Sequence, residues 1–187
     1  MAEIKKIIRG CLSGVRRDQE LLYRRYSPAL YAACLQYTGN EEEARDVLQE
    51  GFVKIFRNLA QYKGEGSFEG WMRRIIVNTA LEKYRSRFNL YRVDDIDTID
   101  EPEACPDTED YSGLEAMDLL DIVRELPPKY RMVFNLYAIE GYSHKEIAAM
   151  LKISEGTSKS NLSRARGILQ QKLEIYMGIK WRVADAR

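Results

Sequence analysis

Two hydroxyl residues, Ser143 and Ser154, bracket a span with room for one short helix and one tight turn, which constrains this chain more than any other feature does. Ser143 with Glu146 has the S-x-x-E spacing of a capping box, in which a hydroxyl and a carboxylate satisfy the orphan amide donors of a helix start. A helix therefore begins near His144, with Ile147, Ala148 and Leu151 on its apolar side. Lys152 and Ile153 then lead to Ser154, a second N-cap residue that opens another helix. The spacing predicts a helix-turn-helix within Gly141–Leu173.

Along the second of these helices Ser158, Leu162, Ala165 and Leu169 share one face. Lys159, Ser160, Ser163 and Arg166 fall elsewhere, with Asn161 and Arg164 near the edge. One side packs and the other is rich in hydrogen-bond donors. Such a helix suits a major groove, where Arg and Lys donate to guanine, Asn pairs with adenine, and hydroxyls and cations hold phosphates. A solvated amphipathic hairpin would carry the same pattern, so the helix pair alone favours DNA binding without establishing it.

The formal charge is zero, but its distribution says more than its sum. Residues 71–92 carry six basic groups and one acidic, residues 93–125 one and thirteen, and residues 126–187 eleven and five, so an acidic connector separates two basic blocks. Cys11, Cys34 and Cys105 are too few and too scattered for a disulfide framework or a zinc site, which suits a reducing compartment. The opening MAEIKKIIRG interrupts its apolar run with lysines, and no later segment is long enough to cross a bilayer. A soluble intracellular protein is expected.

From Asp18 to Tyr37, Leu21, Leu22, Tyr26, Leu30, Tyr31, Cys34 and Leu35 recur at helical spacing, with a bend or break expected near Pro28. Asn40 and Glu43 suggest another capping box, opening a helix over Glu41–Leu59 that packs through Ala44, Leu48, Phe52, Ile55 and Leu59. Asp46, Gln49, Glu50 and Lys54 occupy its other face. Gly64 and Gly66 make a loop, and Ser67 can cap a helix running from about Phe68 to Phe88. That helix has Trp71, Ile75 and Ile76 for its core. It also carries Arg73, Arg74, Lys83, Arg85 and Arg87, with Asn78, Thr79 and Tyr84 interleaved. Cations, amides and aromatics in one segment suit single-stranded nucleic acid.

Residues 93–113 hold nine carboxylates and no cation, with Pro102 and Pro106, which predicts an extended tether. After Gly113 the helical pattern resumes with Leu119, Ile122, Val123 and Leu126, halts at Pro127–Pro128, and restarts through Val133, Phe134, Leu136 and Tyr137. No strand pattern or repeat is visible. The expected fold is all-α: small helical domains over 1–92 and 114–187, joined by an acidic flexible linker over 93–113. Nothing resembles a nucleotide-binding loop, a catalytic constellation or a metal site, so neither a cofactor nor enzymatic chemistry is expected.

Several stretches in this order resemble one family, the extracytoplasmic-function (ECF) sigma factors of the sigma-70 family. They are DVLQEGFVKIF from Asp46, FEGWMRRIIVNTALEKYRSR from Phe68, LPPKYRMVF from Leu126 and GYSHKEIAAMLKISEGTSKSNLSRAR from Gly141. The resemblance implies a sigma-two-like first domain and a sigma-four-like second one, in a cytoplasmic bacterial factor that guides core RNA polymerase to promoter DNA and nucleates its opening. It implies that Asp46, Gln49 and Glu50 dock on polymerase. Minus-10 DNA would meet Tyr62, Lys63, Gly64, Ser67, Phe68, Arg73, Arg74, Asn78, Lys83, Arg85 and Arg87, with a base extruded at the loop. The minus-35 duplex would meet Ser143, His144, Glu155, Thr157, Ser158, Lys159, Ser160, Asn161, Ser163, Arg164 and Arg166. An anti-sigma factor is the implied regulator, and the linker is implied to thread through polymerase. Ser158 and Asn161 depart from the family, which often has a β-branched apolar residue and a basic residue at these positions. The rival reading is a dimeric helix-turn-helix regulator with an N-terminal sensing half, bound to a palindromic site.

Overall fold

The computed structural model describes residues 2–90 and 116–184, with side chains over 3–87 and 120–176; the acidic stretch 93–113, with Cys105, lies outside the described residues. Among the described residues every regular element is helical, as the periodicity predicts. The chain divides into two units, Met1–Tyr91 and Arg92–Arg187.

In the first unit α1 (Ala2–Leu12), α2 (Arg16–Tyr37), α3 (Glu41–Asn58) and α4 (Phe68–Leu90) build one core. Helices α2, α3 and α4 pack mutually, and α1 lies on α2 through Ile7, Ile8 and Cys11. The face predicted for α3 is the one buried, with Ala44 and Ile55 fully enclosed and Leu48, Phe52 and Leu59 nearly so. Asn40 caps this helix by accepting from Glu43 N at 2.8 Å, while the Glu43 carboxylate accepts from Gly39 N, one residue before the donor that a capping box would use. Two expectations change. Helix α2 runs unbroken through Pro28, whose exposed position costs the helix one hydrogen bond without forcing it to end. The segment before Leu12, whose sequence argues only against a signal peptide, is a helix whose lysines lie outward.

In the second unit α5 (Ala116–Arg124), α6 (Pro128–Phe134), α7 (His144–Leu151) and α8 (Glu155–Ala184) form the other body. Its core joins Ile122, Val123, Leu126 and Tyr130 to Ala165, Leu169 and Leu173 of α8. After α6 the backbone widens into a single π turn over Asn135–Ile139, with Glu140 N donating to Asn135 O. Burial pushes the Cys34 thiol up to about 12, and burial with Asp18 nearby also raises that of Cys11, so both stay protonated and inert at neutral pH.

Helix α7 stops at Lys152, which adopts left-handed backbone angles (φ 57°), while Ile153 N donates to Ala148 O at 3.1 Å. That is the six-to-one bond of a Schellman stop, a place that favours glycine because a Cβ crowds the backbone there. Lys152→Gly should therefore raise the unit's unfolding free energy by about 0.5–1 kcal/mol, seen as a higher denaturant midpoint at unchanged slope. A lower midpoint would mean that the lysine side chain contributes more than its backbone costs.

Candidate nucleic-acid interface

The opening of α7 is the predicted capping box. Ser143 Oγ accepts from Glu146 N at 3.3 Å, and Ser143 N donates to Glu146 Oε2 at 2.9 Å. The Ser143 hydroxyl donates to that same oxygen at 2.7 Å, so it is already occupied by a carboxylate and offers little to a phosphate. Ser154 caps α8 by accepting from Thr157 N at 2.9 Å, which fixes the turn length between the helices.

Ser158 and Asn161, both expected at the DNA surface, are buried instead, at 0% and 9% exposure. Ser158 lies at hydrogen-bond distance from His144 Nδ1, 3.0 Å, tying the start of α8 to the start of α7. The physical reason is helical phase: Ser158 falls on the face of Leu162, Ala165 and Leu169, and a small hydroxyl with a partner is tolerated there. Lys159, Ser163 and Arg166 follow one another at spacings of four and three along the exposed side of α8, with Ser160 beside them and Arg164 half-buried. Glu155 is ion-paired with Lys159 at 3.1 Å, and the Thr157 and Ser154 hydroxyls bond at 2.8 Å. In the sequence Tyr137 is one more member of the apolar pattern that follows Pro128. It emerges on the surface from the π turn, stacks on His144 at 4.7 Å and lies under the Arg166 guanidinium at 5.9 Å. No sequence signal distinguished it.

In the first unit Gly64 and Gly66 take positive φ (80° and 75°), and the loop between them is pinned by Tyr62 Oη donating to Gly66 O at 3.0 Å. Beneath it is an aromatic cluster. Phe68 stacks on Trp71 at 5.7 Å and meets the rings of Tyr62 at 4.9 Å and Tyr26 at 5.6 Å. Phe68 is buried, so it supports the loop and is not a platform open to a base. Trp71 is half-buried and also meets Tyr62, at 5.6 Å. Ser67 Oγ accepts from Gly70 N at 3.3 Å as the expected cap, and Lys63 is exposed.

Helix α4 sorts its cations between faces. Arg74 and Asn78 are exposed one turn apart, while Arg73 donates to Gln36 Oε1 on α2 at 3.0 Å. Lys83 faces the α3 carboxylates Asp46 and Glu50 at 3.8 and 3.7 Å, and Arg87 pairs with Glu43. Two groups expected on DNA thus touch the helix expected on polymerase. Lys54 joins Glu50 at 3.0 Å and Glu82 at 2.6 Å, and its hydrogen bond holds the Glu50 carboxyl below the usual carboxylate range despite partial burial. Asp46 and Gln49 are exposed on α3, and Glu50 is half-buried. Among the described residues no helix is long and apolar enough to cross a membrane.

Known proteins match over both bodies. Residues 22–88 match the model for sigma-70 region 2, and residues 116–169 match that for sigma-70 region 4. The chain is 32% identical over 155 residues to the ECF RNA polymerase sigma factor SigE of Mycolicibacterium smegmatis, covering 81% of this chain and 60% of that protein. It is 25% identical over 180 residues to the RNA polymerase sigma-H factor of Pseudomonas aeruginosa, covering 91% and 93%. It is 29% identical over 171 residues to the ECF RNA polymerase sigma-E factor of Escherichia coli, covering 86% and 89%. Among solved structures it is similar to the sigma factor RpoE in complex with the anti-sigma factor NepR from Bartonella quintana, with 23% identity, 85% and 98% coverage and a TM-score of 0.49. With both sigma-70 regions in one chain and in this order, and with ECF sigma factors among its relatives, the protein belongs to the ECF sigma factors of the sigma-70 family.

Proposed function

We propose that this chain directs core RNA polymerase to promoters in the bacterial cytoplasm, without covalent chemistry of its own. The observation that carries the reading is the pairing of region 2 and region 4 matches in a single chain. The α3 face of Asp46, Gln49 and Glu50 docks on polymerase. The α8 stripe of Lys159, Ser160, Ser163, Arg164 and Arg166 reads the minus-35 duplex, while Ser158 and Asn161 seat the helix without touching bases. At the minus-10 element the glycine loop, with Tyr62, Lys63, Arg74 and Asn78, holds one base out of the stack. Extrusion costs a few kcal/mol, and hydrogen bonds and phosphate contacts made only after the base is out offset that cost. Binding energy thereby becomes strand opening. Family membership also supports an anti-sigma factor that covers these surfaces until they are needed.

Run-off transcription with purified core polymerase and this chain alone tests the reading, with a discrete product expected from templates carrying both elements. No product on any template, together with dimeric binding to a symmetric operator, would replace it with the ligand-sensing regulator. Within the same assay Asn78→Ala should slow opening about tenfold, equivalent to about 1.4 kcal/mol, while closed-complex affinity changes less than about twofold. Permanganate reactivity of the melted strand reports the first and gel shift the second. Equal losses in both would remove Asn78 from the opening step.

A further inference from the structure

Side chains from three separate places in the second unit meet beside α8. Tyr137 comes from the π turn, His144 opens α7, and Arg166 lies on the exposed side of α8. The Tyr137 and His144 rings stack at 4.7 Å with 22° between their planes, and the Arg166 guanidinium stands over the Tyr137 ring, 5.9 Å from its centroid. His144 Nδ1 in turn lies 3.0 Å from Oγ of Ser158, which is fully buried on α8. The contacts therefore leave α8 at Ser158, pass through α7 and the π turn, and return to α8 at Arg166, about two turns further on.

Holding a cation on a ring differs from holding it with a carboxylate. Glu155 takes up the Lys159 ammonium at 3.1 Å, so that charge has to leave a partner before it meets a phosphate. Among the described residues no carboxylate lies within ion-pair distance of Arg166. The attraction of a guanidinium for a ring is one of charge for quadrupole and consumes no acceptor, so the N–H donors stay available to phosphate oxygens or to guanine O6 and N7. An exposed arginine also surrenders rotamer freedom on binding, and one already laid against a ring surrenders less. The π turn, a backbone form concentrated at functional sites, brings the Tyr137 ring out to 37% exposure, where it adds less to the core than a buried ring would.

We propose that Tyr137, braced by His144, is a positioning residue for minus-35 recognition: it holds the Arg166 guanidinium in place for the duplex and leaves its donors free. The proposal rests on the assignment of the exposed side of α8 to the minus-35 element. Tyr137 acts through Arg166 and not by touching a nucleotide.

The test measures binding of holoenzyme, reconstituted from core polymerase and the full chain, to a promoter template and to the same template with its minus-35 element scrambled. Wild type is compared with Tyr137→Phe, Tyr137→Leu, Arg166→Ala and Tyr137→Leu/Arg166→Ala. On the intact template Arg166→Ala should bind at least about fivefold more weakly. Tyr137→Leu should bind about threefold to fivefold more weakly, and Tyr137→Phe, which keeps the ring, within about 1.5-fold of wild type. The double variant should bind like Arg166→Ala alone, because a ring with no guanidinium to hold has nothing left to lose. An equal cost of Tyr137→Leu with and without Arg166 overturns the proposal, since a structural role for the ring, or a direct contact of the ring with DNA, would give that result. A Tyr137→Phe variant as weak as Tyr137→Leu would assign the effect to the phenol hydroxyl and overturn it too, as would a Tyr137→Leu variant that binds like wild type. Arg166→Ala that binds like wild type, in a holoenzyme that still prefers the intact template, removes Arg166 from the contact and sinks the proposal while the reading of α8 stands. Wild-type holoenzyme that binds both templates alike removes minus-35 recognition by this chain, and the proposal with it.

Discussion

Leucine in place of Gly51 is expected to destabilise the first unit by about 2–3 kcal/mol and to lower its melting temperature by roughly 10–20 °C. A Cβ at Gly51 would stand 2.3 Å from Ile76 Cδ1. The atom met is the end of the Ile76 side chain, which is fully buried and can turn aside only within a packed core, so the further atoms of a leucine are expected to push α3 away from α4. Better helix propensity returns about 1 kcal/mol, which is less than the overpacking costs. Separation would also stretch the ion pairs joining Lys83 to Asp46 and Glu50 and Arg87 to Glu43, each too exposed to resist it. Thermal unfolding followed by circular dichroism should show this loss in the first unit, with Gly51→Ala suffering a smaller one. An unshifted transition for the leucine variant would mean that this contact does not set the spacing of the two helices.

Asp46→Lys with Gln49→Lys should weaken capture of core polymerase at least about 100-fold, or about 2.7 kcal/mol, while the chain stays folded. Both side chains are exposed, and Val53, 43% exposed, follows on the same side of α3. An apolar group flanked by polar ones suits a protein contact better than solvent. The fold should survive because the Asp46–Lys83 pair, at 3.8 Å and largely exposed, is worth under about 1 kcal/mol. Competition against a labelled wild-type chain for core polymerase measures the effect. Undiminished capture by a normally folded variant would place the docking surface elsewhere.

Local chemistry made part of this legible in sequence. The Ser143 and Ser154 caps, the buried faces of α3 and α8, and the glycine loop each depend on residues a few positions apart, and each stands where expected. What failed depends on other segments. Periodicity puts Ser158 on the packed face while the family resemblance sets it on DNA; only the position of His144 on α7 shows the partner that lets it stay inside. Composition could not divide the α4 cations, because whether Lys83 meets phosphate or carboxylate depends on which helix lies beside it. Pro28 suggested a break that the exposed side of α2 absorbs, and the π turn that brings out Tyr137 leaves no mark on hydrophobic spacing.

The Ser158–His144 contact leaves α8 with a fixed pitch relative to α7. If α8 reads the minus-35 duplex as proposed, residues that never reach a nucleotide can tune its contacts together: a bulkier side chain at position 158 would tilt Lys159, Ser163 and Arg166 in concert. Promoter preference in such a protein can drift through its interior while the lettering on its outer face stays the same.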